Sequence, residues 1–168
     1  MRQAYNIRQN MTTGEEAYVY YADCCESLNR AWRILQDLRG TEAKGAIYHA
    51  AFRFALIEYA KPYTPSNGIH RRRRDAYKLS APTLSAEDAA LHGEIMTRRN
   101  QVLAHSDLTP KDAAISVALF SGHPSACIGQ NIPEALPPLE AVVLLIGNTL
   151  MLMYREKERL LASLAANA

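Results

Sequence analysis

The chain has 168 residues, of which 48% are apolar and 21% charged, with a formal net charge of +2. That length suits one domain around one core, and the composition excludes disorder of the whole chain. So small a net charge makes no case for nucleic acid by bulk electrostatics; its distribution matters more, because Arg71, Arg72, Arg73 and Arg74 form one block.

The first eleven or so residues read as a loose polar arm. They contain no apolar core of a secretory signal. Thr13 stands three residues before Glu16, the spacing of a capping box, so the first helix is predicted to open there. Tyr18, Tyr21, Cys25, Leu28, Trp32 and Leu35 then recur at steps of three and four, the seam of a long amphipathic helix that Gly40 stops.

Thr41 is placed to cap a second helix. Ile47, Ala51, Phe54 and Ile57 mark one face, and Tyr48, Phe52, Leu56 and Tyr59 mark the other. A helix apolar on most of its circumference belongs at the centre of a domain or between two subunits. Residues 62–84 hold three prolines, Gly68 and the arginine block, and are predicted to be an arginine-rich loop.

Ser85 and Asp88 form the next cap, with Glu87 beside the positive helix start. Leu91, Ile95 and Val102 define the buried stripe of this third helix, which should end near His105 ahead of Thr109-Pro110. Residues 112–132 include "AAISVALF" and the break "SGHPS", read as irregular structure or a small hairpin. A final long helix follows Pro137 and Pro138, over about 139–164. Its apolar run from Ala141 to Met153 is too short to span a bilayer and contains Asn148. The expectation is a single all-α domain over 1–168: an antiparallel bundle of four long helices with an irregular insertion before the last. It is read as cytoplasmic and not membrane-bound.

Function concentrates in "RRNQVLAHSD", from Arg98 to Asp107. On a helical wheel of about 100° per residue, Leu91, Ile95 and Val102 cluster and Arg98 and Arg99 fall on the two edges of that cluster. An arginine there buries its stem and extends its guanidinium. The guanidinium fork matches phosphate oxygens and keeps its charge, while a histidine exchanges protons near neutrality. RNA carries its own nucleophile, the 2′-hydroxyl, so one His and one or two Arg residues are a minimal inventory for phosphodiester chemistry. On spacing alone a solvated helix end fits as well, with basic side chains favoured by the dipole and His105 capping carbonyls.

The segment resembles the HEPN superfamily, whose R-x(4–6)-H motif often carries a polar residue straight after the arginine. Arg99, Asn100 and His105 match, with five residues between Arg99 and His105. The "RNxxLAH" wording looks most like the abortive-infection branch of small bacterial members. The resemblance implies a helical bundle, a homodimer with paired motifs, and metal-independent RNA cleavage in a defence or toxin-type role, with an antitoxin or defence partner. By carry-over, Arg99 binds and stabilises the phosphate, His105 moves a proton or positions the 2′-hydroxyl, and Asn100 holds the site's geometry. Arg98 is an alternative match, with six residues before His105. Asp107 departs from the family's pattern: members paired with nucleotidyltransferases carry tyrosine two residues after the histidine. The alternative is a non-catalytic bundle of the same kind, holding RNA or a nucleotide, or a purely structural dimer.

Other residues carry less. Arg71, Arg72, Arg73 and Arg74 would grip RNA phosphates or stand solvated, and Tyr77 would stack on a base or on its own domain. Tyr18, Tyr20 and Tyr21 read as core or interface, and His49 as a hydrogen-bonded interior or interface group. His92 and Glu94 lack metal-ligand spacing, and His123 lacks a nucleophile motif. Cys24 and Cys25 read as small buried apolar groups, and the three cysteines make no disulfide framework or zinc site. No metal or cofactor is expected.

Overall fold

A computed structural model describes residues 11–42, 45–81, 85–100, 114–120, 122–129 and 136–166. The chain is mostly helical. Helices α1 (Thr13–Arg39), α2 (Ala46–Ala60), α3 (Ala86–Arg98) and α4 (Leu139–Ala166) are joined by one antiparallel pair of strands, β1 (Ala114–Phe120) and β2 (His123–Gly129). α1 packs on both α2 and α4, and α3 lies against α2 and α4. α2, with 15 residues, is shorter than the sequence pattern predicts; α3 is regular over 13 residues, and its expected end near His105 lies outside the described residues.

The start of α1 is shifted by one residue from its expected position. Thr12, not Thr13, is the N-cap: its hydroxyl accepts from Glu15 N at 3.2 Å, and Glu15 Oε2 accepts from Thr12 N at 2.7 Å. "TTGEE" satisfies the capping-box spacing twice, and the chosen register frees Glu16 for a different task. Thr41 does not cap α2. That helix starts at Ala46 behind Gly45, without a side-chain cap. Ser85 caps α3 as expected, its hydroxyl accepting from Asp88 N at 3.1 Å. The chain stays helical beyond Arg98, with Arg99 and Asn100 in a wider π-type turn. Val102 and His105 lie outside the described residues.

The core is built from Leu28, Leu35, Phe52, Leu56, Tyr59, Ile95, Leu145 and Ile146. Cys24 and Cys25 are buried among them, as their pattern implied, and burial pushes the Cys24 thiol up to about 11. Three expected core positions face outward: Trp32, Ile47 and Phe54 are 37%, 85% and 49% exposed. The true α1 seam runs through Cys24, Leu28, Ala31, Leu35 and Leu38, so Trp32 falls one position off it. Glu58 of α2 is 1% exposed and accepts from Arg30 Nε at 3.0 Å and from Lys61. That ion pair ties α1 to the end of α2.

Residues 112–132 contain a hairpin. Ala114 pairs with Gly129 and Phe120 with His123, and Gly122 turns the chain at φ 78°, a conformation glycine adopts without steric cost. Among the described residues, no helix is long and apolar enough to cross a membrane.

Candidate functional site

Two groups of sequence-marked residues can be placed. The first is the end of α3. Arg98 and Arg99 are both half-buried, the edge position the helical wheel implied. Arg98 Nε donates to Glu94 Oε1 at 2.9 Å, one turn back. Arg99 Nη1 donates to Asn100 Oδ1 at 2.9 Å. This contact uses one of the five N–H donors of a guanidinium and orients its plane.

Asn100 sits on the wall of a cleft of about 540 Å³ that also exposes Tyr63, Lys78, Ser80, His92 and Met96. The cleft draws on α3, the end of α2 and the strap that follows it, so it exists only in the folded chain. His92 is its best-ordered polar group. Its Nδ1 lies 2.8 Å from the Tyr59 hydroxyl, and its ring packs edge-on against Tyr63 with centroids 4.7 Å apart. Burial raises the Tyr59 phenol far above the usual tyrosine range, so it keeps its proton. A protonated hydroxyl both donates and accepts, so it partners Nδ1 in either tautomer of the ring. Burial also lowers the His92 pKa, which holds the ring neutral near pH 7.

The second group is the arginine block, a latched strap rather than a free loop. Ser66 and Tyr77 pair backbone to backbone at 2.8 and 2.9 Å, and Leu79 N donates to Pro62 O at 2.9 Å. Glu16, reaching across from α1, is the latch. Its buried carboxylate accepts from the backbone N–H groups of Ile69 and His70, and from the Tyr77 hydroxyl at 3.0 Å. Burial works to raise the Glu16 pKa, but these donors and the nearby His70 outweigh it and the net shift is downward.

Tyr77 is 5% exposed, stacked on Tyr20 with centroids 4.7 Å apart, so it packs on its own domain rather than awaiting a base. The Arg71 guanidinium lies 4.8 Å over the Tyr77 ring. Arg72 Nε donates to Gly68 O at 3.3 Å, and Arg73 N donates to Asn67 Oδ1 at 2.9 Å. Arg73 has φ 55°, a left-handed conformation costing a non-glycine residue about 1–2 kcal/mol. Arg71, Arg72, Arg73 and Arg74 are all exposed, and the strap runs on into Lys78 and Ser80 on the α3 cleft.

The structure thus brings Arg99, Asn100 and the strap's end to one region. His105 and Asp107 lie outside the described residues. Sequence reasoning missed Lys78, Ser80, Tyr59 and Glu16 as contributors, and weighed His92 only as a metal ligand. His92 lies eight residues before Asn100, roughly 80° round the helix from it, so spacing alone did not mark it. His49 departs from expectation: its Nδ1 is buried with no hydrogen-bond partner among the described residues.

Comparison with protein-family models, with curated proteins and with solved structures finds no match.

Proposed function

We propose that the chain is a HEPN-like, metal-independent endoribonuclease that works as a homodimer in the cytoplasm, in a defence or toxin-type role with an antitoxin or defence partner. In this reading the helices form an antiparallel bundle and the α3 ends of two copies share one RNA groove. The observation that carries the reading is the Arg99 guanidinium held by Asn100, which itself lines a cleft shared with His92. Arg99 contacts the scissile phosphate and stabilises the charge that builds on its oxygens. His105 takes the proton from the 2′-hydroxyl, whose oxygen attacks phosphorus. The 5′-oxygen leaves with a proton from solvent water, giving a 2′,3′-cyclic phosphate and a 5′-hydroxyl, and the proton held by His105 returns to solvent. Asn100 fixes the guanidinium, and the exposed Arg71–Arg74 strap binds flanking phosphates. Arg98, engaged by Glu94 in a surface pair worth under about 0.5 kcal/mol, is easily drawn into the same groove.

A second reading has its own support: an exposed strap of four arginines, held in shape by a buried carboxylate, suits an RNA-binding module without turnover. Incubation with total RNA in EDTA separates the two. Cleavage that persists in EDTA and disappears in both Arg99→Ala and His105→Ala supports the nuclease. Binding that survives His105→Ala and weakens steeply with salt, without cutting, supports the module.

A further inference from the structure

The cleft that holds His92 and Asn100 is shaped for a flat, polar-edged ligand. Its volume of about 540 Å³ falls within the roughly 300–1,000 Å³ usual for small-molecule sites. Leu79 of the strap and Met96 of α3 are half-buried and line it, giving the apolar walls that the faces of a ring need.

The polar groups of the cleft are unequal in kind. The Lys78 ammonium only donates. Asn100 is oriented by Arg99. A guanidinium has no acceptor, so Asn100 Oδ1 faces Arg99 Nη1 at 2.9 Å, and Nδ2, a double donor, is the free end of the amide. The Ser80 hydroxyl serves as donor or acceptor, and so does His92 Nε2, because the Tyr59 hydroxyl partners Nδ1 in either tautomer. Among the described residues no acidic side chain lines the cleft. The side chains with a fixed role therefore donate, and the ligand edge that meets them must accept.

Nucleobases divide on this point. Guanine offers O6 and N7 as acceptors, and uracil offers O4. Adenine and cytosine carry an amino group at the corresponding position. Set against Lys78 and Asn100 Nδ2, that amino group would put donor against donor.

We propose, on the RNA reading above, that this cleft holds the base of the nucleotide whose phosphate Arg99 grips, and that it selects the keto bases guanine and uracil over adenine and cytosine. The assignment rests on that reading and adds the identity of the base. Asn100 is the joint between the two halves of the nucleotide. Its Oδ1 fixes the guanidinium that meets the phosphate, and its Nδ2 reads the base. The cleft and the groove shared by two copies lie at the same end of α3, so one strand reaches both.

The test is equilibrium binding in EDTA, by fluorescence anisotropy. Four short oligoribonucleotides carry a single G, U, A or C in an otherwise abasic strand, with every 2′-oxygen methylated so that none is cleaved. Wild type is expected to bind the G and U strands about tenfold more tightly than the A and C strands, the discrimination of one good base-edge contact. Lys78→Met is expected to flatten that ratio. Lys78→Glu is expected to turn it towards C, whose amino group then finds an acceptor. Lys78 is exposed, so both variants should keep the wild-type circular dichroism. Equal affinity for all four strands overturns the base assignment and leaves the RNA reading standing. So does a preference for G and U that Lys78→Glu leaves unchanged. Binding of no strand overturns the RNA reading, and the base assignment with it.

Discussion

Removing the hydroxyl of Tyr59 tests whether the core sets the chemistry of the α3 cleft. The Tyr59 ring is fully buried, and its hydroxyl is 2.8 Å from His92 Nδ1. Tyr59→Phe keeps the ring and leaves a half-buried imidazole nitrogen without its hydrogen-bond partner. The cost is about 1–2 kcal/mol, the usual range for a hydrogen bond whose partner stays behind. At this chain length each kcal/mol is worth roughly 2–4 °C, so the thermal midpoint should fall by about 2–8 °C. The pH dependence follows from burial, which places the His92 pKa in the folded chain below the ordinary 6.5. The unfolded chain therefore takes up the His92 proton first. Stability is complete above about 6.5 and is lost as pH falls through the depressed folded value. Burial, which the variant keeps, is what lowers the His92 pKa, so His92 should still titrate below 6.5 in Tyr59→Phe. Urea unfolding at several pH values and NMR titration of the His92 ring measure both. A variant as stable as wild type, or a His92 that titrates at 6.5 or above in either protein, would refute the coupling of core to cleft.

Glu58 and Arg30 should respond unequally. Arg30→Met leaves the Glu58 carboxylate, 1% exposed, with Lys61 still on its other oxygen and should cost about 2 kcal/mol, whereas Glu58→Gln leaves a half-exposed arginine to water and should cost about 1 kcal/mol, read from urea midpoints. Glu16→Gln should loosen the strap, seen as lower hydrogen-exchange protection at Ile69 and His70. In wild type the same protection should fall as pH drops below 4.5 through the lowered Glu16 pKa, because protonation removes the acceptor. Gly68→Ala should act likewise, since its Cβ would lie 2.5 Å from Glu16 Oε1 and 2.8 Å from the Tyr77 ring. Replacing Arg71, Arg72 and Arg74 by Gln should cost about 1 kcal/mol or less, from the Arg71–Tyr77 and Arg72–Gly68 contacts, and lower the salt slope of RNA binding by about 0.7–0.9 per lost phosphate contact.

Much of the scaffold was legible from local pattern. The periodic runs gave four helices near their observed places, and Ser85 and Gly40 marked ends that the structure keeps. The errors have local causes. "TTGEE" fits a capping box in two registers, and only burial of Glu16 against a segment 53 residues away decides between them. Trp32, Ile47 and Phe54 looked like core because apolar identity does not reveal which face meets a neighbour. The arginine strap could not be read as ordered, since its order comes from Glu16, Tyr20 and Pro62, all distant or outside the run. The cleft was partly legible: Arg99 and Asn100 follow from the motif, whereas His92 does not. Lys78, Ser80 and Tyr59 come from other segments and carry no signature of their own.

The central claim is that Arg99 and His105 act together on a phosphodiester with its own 2′-hydroxyl as nucleophile. The most direct measurement compares an oligoribonucleotide with its all-deoxy counterpart in EDTA, with the product ends identified by mass spectrometry. Cleavage of the ribose form alone, leaving 2′,3′-cyclic phosphate ends and falling at least a hundredfold in Arg99→Ala and in His105→Ala, is the predicted result. Equal cutting of the deoxy strand, or ribose cleavage undiminished in either variant, would contradict it.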